Sequence, residues 1–332
     1  MFTSRITSLS LSNQLNADVA DNMAAYSRKM LQVSSGEKYS SRSEDPTATS
    51  EVAGLNVSAT QLSSWSANMK YAGSWETITD STVQNITDTM SQLNELVTQA
   101  NSTINTATQS DRDSLVAQVN SIMESLVNAG NTTYQGTSIF GGTATGDKPF
   151  TVDRDADGNI TAVYFLGNDD VTVTPDTELR SMSYGNGSSY QMGLLGEGDY
   201  SLFRFSHREN LGTEDNPDWQ NVKVRVFDEL IKFRDALADS TKTLDSTNME
   251  RLQSALDNVT CCGVTASSNQ NMVTRIQKNL ATETTAVTDR TSDLTDIDDS
   301  TAITELYSIQ TALQASMKMI NKVNDMSILN YI

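Results

Sequence analysis

The sequence predicts a mainly α-helical protein: a bundle of long helices built from the N- and C-terminal halves of the chain, with a small β-rich domain inserted between them. Three observations carry this. Helix breakers are scarce, with 17 glycines and 4 prolines in 332 residues. Apolar residues recur at three- and four-residue steps over both ends of the chain, the period of one helix face. The middle, 134–220, instead gathers most of the glycines and three of the four prolines, with short alternating runs.

Residues 1–35 form the first predicted helix, with Ile6, Leu9, Leu11, Leu15, Val19, Met23, Tyr26, Met30 and Val33 on its apolar face. Gly36 stops it, and Ser43-Glu44-Asp45-Pro46 marks a loop. Proline suits a first helical turn, so a second helix starts at Pro46 and runs to about Tyr71, where Gly73 interrupts or ends it. A third is expected from Glu76 to Asn128, on the heptad-like series Val83, Ile86, Met90, Leu93, Val97, Ala100, Ile104 and then Leu115, Val119, Ile122, Leu126.

Strands are expected at Thr151–Asp153, Thr161–Leu166 and Val171–Thr174, with Asp157-Gly158 as a hairpin turn. Loops are expected around Ser181–Ser189 and Arg208–Asp218. Helix returns at Asn221. Leu252, Val259, Ala266, Val273, Leu280, Val287 and Leu294 then follow one another at a strict interval of seven, which demands a packed, left-handed partner seam. The companion positions, Ala255, Cys262, Asn269, Ile276, Glu283 and Arg290, become polar, so the seam thins toward its C-terminal end. A last helix spans about Ser300 to Asn330. The implied division is terminal helices over 1–45 and 297–332, a helical bundle over 46–140 and 221–296, and a β-rich insert over 141–220.

A length of 332 residues suits two or three domains. The net charge of -19 argues against a nucleic-acid partner, which requires a basic stripe, and against an anionic membrane surface. No apolar run approaches the roughly 20 residues that span a bilayer, and the first fifteen residues lack the apolar block of a cleaved secretory signal. Cys261 and Cys262 are adjacent in a predicted helix, where a mutual bond would be strained, so both are read as small, semi-buried helix residues.

Candidate chemical sites are few. Asp153, Asp155 and Asp157 with Gly158 match the start of a calcium loop, but Tyr164 stands where its bidentate Glu belongs, and the flanks read as strands. A solvated hairpin turn is the simpler reading. His207 is the sole histidine, and no nucleophile-elbow sequence accompanies it, so it is read as a surface or strand-end residue. Gly193, Gly196 and Gly198 do not lie between a strand and a helix and are read as loop. No nucleophile, base and oxyanion donor gather. The chain is therefore expected to have no catalytic residues and no cofactor. Trp65, Trp75 and Trp219 are expected to pack. Met23, Met30, Met317 and Met319 are expected to fill core or to serve as adaptable contacts between subunits.

The last helix is unusual. Between Ile303 and Met317 its only charge is Glu305, whereas a solvated helix normally carries charges outward. Neither terminal helix has enough apolar surface to offset the entropy of ordering it alone. Both ends are thus expected to be loose in a monomer and ordered in an assembly. The expected subunit interface is Ile6, Leu9, Leu15, Ile303, Leu306, Leu313, Ile320 and Val323.

These features together resemble the flagellin-like axial proteins of the bacterial flagellum, and within them the hook-filament junction branch. The resemblance rests on Ser34-Ser35-Gly36-Glu37-Lys38 followed by Glu44-Asp45-Pro46-Thr47-Ala48, on Tyr134-Gln135-Gly136 with Ile139-Phe140-Gly141-Gly142-Thr143, and on the end Ser327-Ile328-Leu329-Asn330-Tyr331-Ile332. It covers roughly 1–145 and 222–332. It implies a structural subunit exported uncleaved through the flagellar type III apparatus to the extracellular flagellum. The implied partners are hook-associated protein 1, flagellin, copies of the chain itself and a cytosolic flagellar export chaperone. Rival readings are the filament subunit and a secreted adhesion or binding module carried by 134–220.

Overall fold

The structure is a computed structural model that describes residues 8–39, 41, 43–104, 106–144, 148–166, 178–198, 201–213, 216–239 and 241–325. The chain forms two compact units, 1–63 with 282–332 and 64–281. Helices α2 (Pro46–Thr103) and α5 (Ser246–Thr295) contribute to both.

In the first unit α1 (Ser8–Ser35) runs antiparallel to α6 (Asp299–Asp325). Asn22 Nδ2 donates to Ser316 Oγ at 3.1 Å, and Lys29 lies 2.6 Å from Glu305. At the near end the Ile297 N–H donates to the Gly36 carbonyl at 3.0 Å, and the Lys38 N–H donates to the Thr295 carbonyl at 2.6 Å. Gly36 has φ +76°, the left-handed C-cap conformation that stops a helix and that glycine adopts without cost. Asp45 caps α2: its Oδ1 accepts from the N–H groups of Thr47 and Ala48 at 3.0 and 2.9 Å, with Pro46 at the first helical position as expected. The bond from Ala48 holds the Asp45 carboxyl below its ordinary value.

In the second unit α2 and α5 lie side by side and antiparallel. Ser267 Oγ donates to Asp80 at 2.7 Å, and Gln277 Nε2 donates to the Met69 carbonyl at 2.8 Å. Leu252, Ala255, Val259, Cys262, Ala266, Val273, Ile276 and Leu280 are buried, whereas Val287 and Leu294 are half-buried and Glu283 and Arg290 exposed. The seam thins where its companion positions turn polar. Cys262 is buried and Cys261 exposed, both as thiols, and burial pushes the Cys262 thiol up to about 11.

Several expectations need correction. Gly73 neither ends nor interrupts α2, which runs unbroken over 58 residues from Pro46 to Thr103. The glycine instead admits α5: a Cβ there would fall 2.7 Å from Gln277 Nε2. The expected third helix breaks after Thr103, and α3 (Gln109–Gly130) starts anew behind Thr108, which forms a reciprocal capping box with Asp111. Buried Arg112 then donates to the Ile104 carbonyl at 2.9 Å, satisfying the acceptor that the break exposes. Helix does not return at Asn221. Val222 and Val224 alternate on strand β8 (Trp219–Arg225), and α4 begins at Val226 and ends at Ala238.

The strands form four antiparallel hairpins, each paired only within itself among the described residues. They are β1–β2 (Thr133–Tyr134, Thr137–Ser138), β3–β4 (Phe150–Arg154, Ile160–Phe165), β5–β6 (Arg180–Gly185, Ser188–Met192) and β7–β8 (Arg204–Asn210, Trp219–Arg225). The expected loop at Ser181–Ser189 is therefore the β5–β6 hairpin, while the expected strand at Val171–Thr174 lies outside the described residues. Gln135 and Gly136 both have positive φ, the two-residue hairpin turn that matches strand twist.

The hairpins pack onto the helices through a cluster of Phe150, Phe165, Phe203 and Phe227, with centroids 4.9–5.6 Å apart. A buried ion pair, Arg225 to Glu197 at 3.0 Å, closes the cluster, and the same guanidinium donates to the Val163 carbonyl at 2.9 Å.

Candidate functional site

The first unit exposes apolar side chains along its helices. They are Met23, Met30 and Leu31 on α1, Val57 on α2, and Ile303, Tyr307, Met317 and Met319 on α6. Leu31 is 60 % and Tyr307 65 % exposed. The four methionines thus do not fill core; they stand outward, as adaptable contacts would. Steps of four and ten along α6, from Ile303 to Tyr307 and Met317, place these residues on one side of the helix. Glu305, the only charge between Ile303 and Met317, is taken by Lys29 of α1. A solvated helix face normally carries more charge than this one.

The expected interface residues distribute unevenly. Leu15, Leu306, Leu313 and Ile320 are half-buried, because α1 and α6 cover part of each other's stripe, while Ile303 remains exposed. Ile6 lies outside the described residues. Leu9 and Val323 sit on α1 and α6, but their side chains are not among those described, and the motif Ser327–Ile332 also lies outside. Sequence reasoning missed Leu31, Val57 and Tyr307. The four-residue step from Ile303 to Tyr307, beside the main stripe, was the available signal.

A cleft of about 280 Å³ opens within this unit between Glu37, Tyr39, Ala48, Val52 and Leu294. The Tyr39 hydroxyl there donates to Asp45 at 3.1 Å, a bond that pushes its own titration upward.

The other candidates are structural. The acidic turn joins β3 to β4 as a hairpin. Asp155 Oδ1 accepts from the N–H groups of Asp157 and Asn159 at 3.0 and 2.8 Å, and Asp155 Oδ2 accepts from Asn159 Nδ2 at 3.0 Å. These bonds, the Asn159 side chain's foremost, hold the Asp155 carboxyl below its ordinary value. Asp153 accepts from the Tyr164 hydroxyl at 2.9 Å. Two of the three candidate carboxylates, Asp153 and Asp155, are thus already engaged, and among the described residues no three His, Cys, Asp or Glu side chains gather into a metal site. His207 is not at a strand end: it sits within β7, half-buried and opposite Val222. Trp75 is buried and Trp65 half-buried, but Trp219 does not pack: it stands 56 % exposed. Among the described residues no helix is long and apolar enough to cross a membrane.

Comparison with known proteins returns a consistent set. Residues 6–145 match the model of the bacterial flagellin N-terminal helical region, and residues 247–332 that of the bacterial flagellin C-terminal helical region. The flagellar hook-associated protein 3 of Escherichia coli K12 is 23 % identical over 318 residues, covering 93 % of this chain and 94 % of the relative. That of Salmonella typhimurium LT2 is 24 % identical over 338 residues, covering 98 % of each. Among solved structures, a flagellar hook-associated protein from Vibrio parahaemolyticus shares the fold with a TM-score of 0.56 at 13 % identity, over 76 % of this chain and all of that one.

Proposed function

The chain belongs to the bacterial flagellin family, as a protein of its hook-filament junction type, and on that premise we propose how it works: it joins hook to filament as a structural subunit clasped by its neighbours through α1 and α6. The observation that carries this is the low-charge, uncovered face of α6 that presents Ile303, Tyr307 and Met317. Two antiparallel terminal helices hide part of their stripes against each other and leave the remainder for other subunits.

On this reading 1–45 and 297–332 are the assembly segments, with Ile6, Leu9, Leu15, Ile303, Leu306, Leu313, Ile320 and Val323 at the interface. Residues 46–140 and 221–296 form the bundle, and 141–220 the insert. The neighbours are hook-associated protein 1 on one side, flagellin on the other and copies of the chain between them. A cytosolic chaperone holds the terminal segments before export, and the chain reaches the extracellular flagellum without cleavage. The role is mechanical and needs no catalysis.

Ile303→Asp and Tyr307→Asp test the surface. Each places a charge where a partner would desolvate it. Cells carrying either variant should export folded chain into the medium and lose attached filaments. Variants that support normal filaments would overturn the proposal. Purified wild-type chain should not elongate into filaments by itself; if it does, the chain acts as a filament subunit.

A further inference from the structure

The α1–α6 pair has a cleft at one end and an uncharged apolar segment beyond the other. The cleft, of about 280 Å³, lies where α1 has ended and α5 gives way to α6. Ala48, Val52 and Leu294 line it with Tyr39, and Glu37 stands exposed at its edge. Pockets for drug-sized ligands run upward from about 300 Å³, so this one suits the side chains of a short peptide. It is also built in advance. Asp45 holds the Tyr39 hydroxyl at 3.1 Å and is itself fixed by the N–H groups of Thr47 and Ala48, while the Lys38 N–H donates to the Thr295 carbonyl at 2.6 Å. Walls tied in this way have little entropy left to lose on contact.

At the opposite end α6 stops at Asp325, and the sequence continues as Met326-Ser327-Ile328-Leu329-Asn330-Tyr331-Ile332. Five of these seven residues are apolar and none is charged, although 20 % of the chain is. Such a segment gains by leaving water for apolar walls, and it meets no like charge at Glu37. Residues 1–7 lie beyond the same end, because α1 runs antiparallel to α6, but they include Arg5 and only Met1, Phe2 and Ile6 as apolar side chains, a poorer match to those walls.

The segment does not reach the cleft of its own molecule. The 27 residues of α6 set Asp325 about 40 Å from Asp299. The seven residues 326–332, fully extended, span about 25 Å at most. The partner is therefore another chain, and copies laid end to end bring each segment to the next cleft. We propose that residues 326–332 of one copy seat their apolar side chains in the Tyr39–Val52–Leu294 cleft of a second copy of this chain. The contact joins two different patches, so repeated between neighbours it closes as a ring or continues as a helix. It rests on the reading of the chain as an assembling subunit and names a contact separate from the exposed face of α6.

The test places a photoactivatable benzophenone side chain at Glu37, and separately at Ser41, in the full chain, co-expressed with the wild-type chain in cells that build flagella. Irradiation should give an adduct of twice the chain mass, and trypsin, cutting after Lys322, should leave Val323–Ile332 as the trapped peptide. Leu329→Asp in both copies puts a charge against apolar walls and should suppress the adduct about tenfold or more, with the melting curve of the purified chain unchanged. A trapped peptide from residues 1–7, an adduct only with another protein or within one molecule, no adduct at either position, or an adduct that Leu329→Asp leaves intact would overturn the inference. Filaments that stay attached in such a case would leave the terminal-helix reading standing.

Discussion

The Tyr190 hydroxyl donates to Glu76 Oε1 at 2.8 Å, which anchors the β5–β6 hairpin to the middle of α2. The same oxygen accepts from the Gly193 N–H at 2.7 Å, while Oε2 is buried without a hydrogen-bond partner among the described residues. Tyr190→Phe removes one of the two donors from a buried carboxyl. Urea unfolding should show a loss of about 1–3 kcal/mol, and an unchanged midpoint would show that the anchor contributes nothing.

Burial raises the Glu76 carboxyl above its ordinary value of 4.5, against the opposing hydrogen bonds from Gly193 and Tyr190, with Asp80 adding to the rise. Between 4.5 and the folded-state value, the native chain holds more protons than the unfolded one, so this residue makes stability fall as pH rises. Glu76→Gln keeps the acceptor and cannot ionise. Its stability relative to the wild type should rise with pH from 4.5 upward and then level off. Parallel unfolding curves for the two chains at every pH would contradict the assignment.

Gly130 closes α3 directly beneath the phenylalanine cluster. A Cβ there would meet two Phe150 ring atoms at 2.7 and 2.8 Å and Phe203 at 3.3 Å. Gly130→Ala should therefore destabilise by about 1–3 kcal/mol, despite alanine's better helix propensity, because the packed rings cannot yield cheaply. A rise in melting temperature would show that the cluster is looser than its geometry.

The turn at Asp153–Asn159 should ignore calcium. The Asp153 and Asp155 carboxylates already accept hydrogen bonds from Asp157, Asn159 and Tyr164, and a cation would have to displace them. Millimolar calcium should leave the thermal melt unmoved. A rise of several degrees would mean that the turn reorganises around the ion.

Leu280 and Leu294 occupy equivalent heptad positions on α5, but Leu280 is buried and Leu294 half-buried. Leu280→Ala should cost about 2–5 kcal/mol, and Leu294→Ala clearly less in the isolated subunit. Equal losses would mean that the seam persists to the end of the helix.

Much of the fold was legible because helices obey local rules. Gly36, Asp45-Pro46 and the strict seven-residue series on α5 announce a stop, a start and a packed seam from their own chemistry. The misreadings arose where a distant partner decided. By local rules Gly73 is a breaker, but α5 fills the space its missing Cβ leaves. Asn221–Arg225 resembles the start of a helix because its strand partner, Arg204–Arg208, lies outside any local window of sequence. The break after Thr103 did carry a signal, Thr108 with Asp111, which the continuous apolar spacing masked. Of the contact surface, the stripe Leu306, Leu313 and Ile320 was visible as periodicity, whereas the exposure of Tyr307 and Leu31 was not.

The sequence by itself determined that the chain is helical at both ends, net acidic and poor in charge along its last helix, since periodicity and composition are properties of the chain alone. Only the tertiary structure decided which apolar residues α1 and α6 hide from water and which they leave outward, and that Trp219 stands exposed. Exposure depends on what packs against a residue, and those neighbours lie far away along the chain.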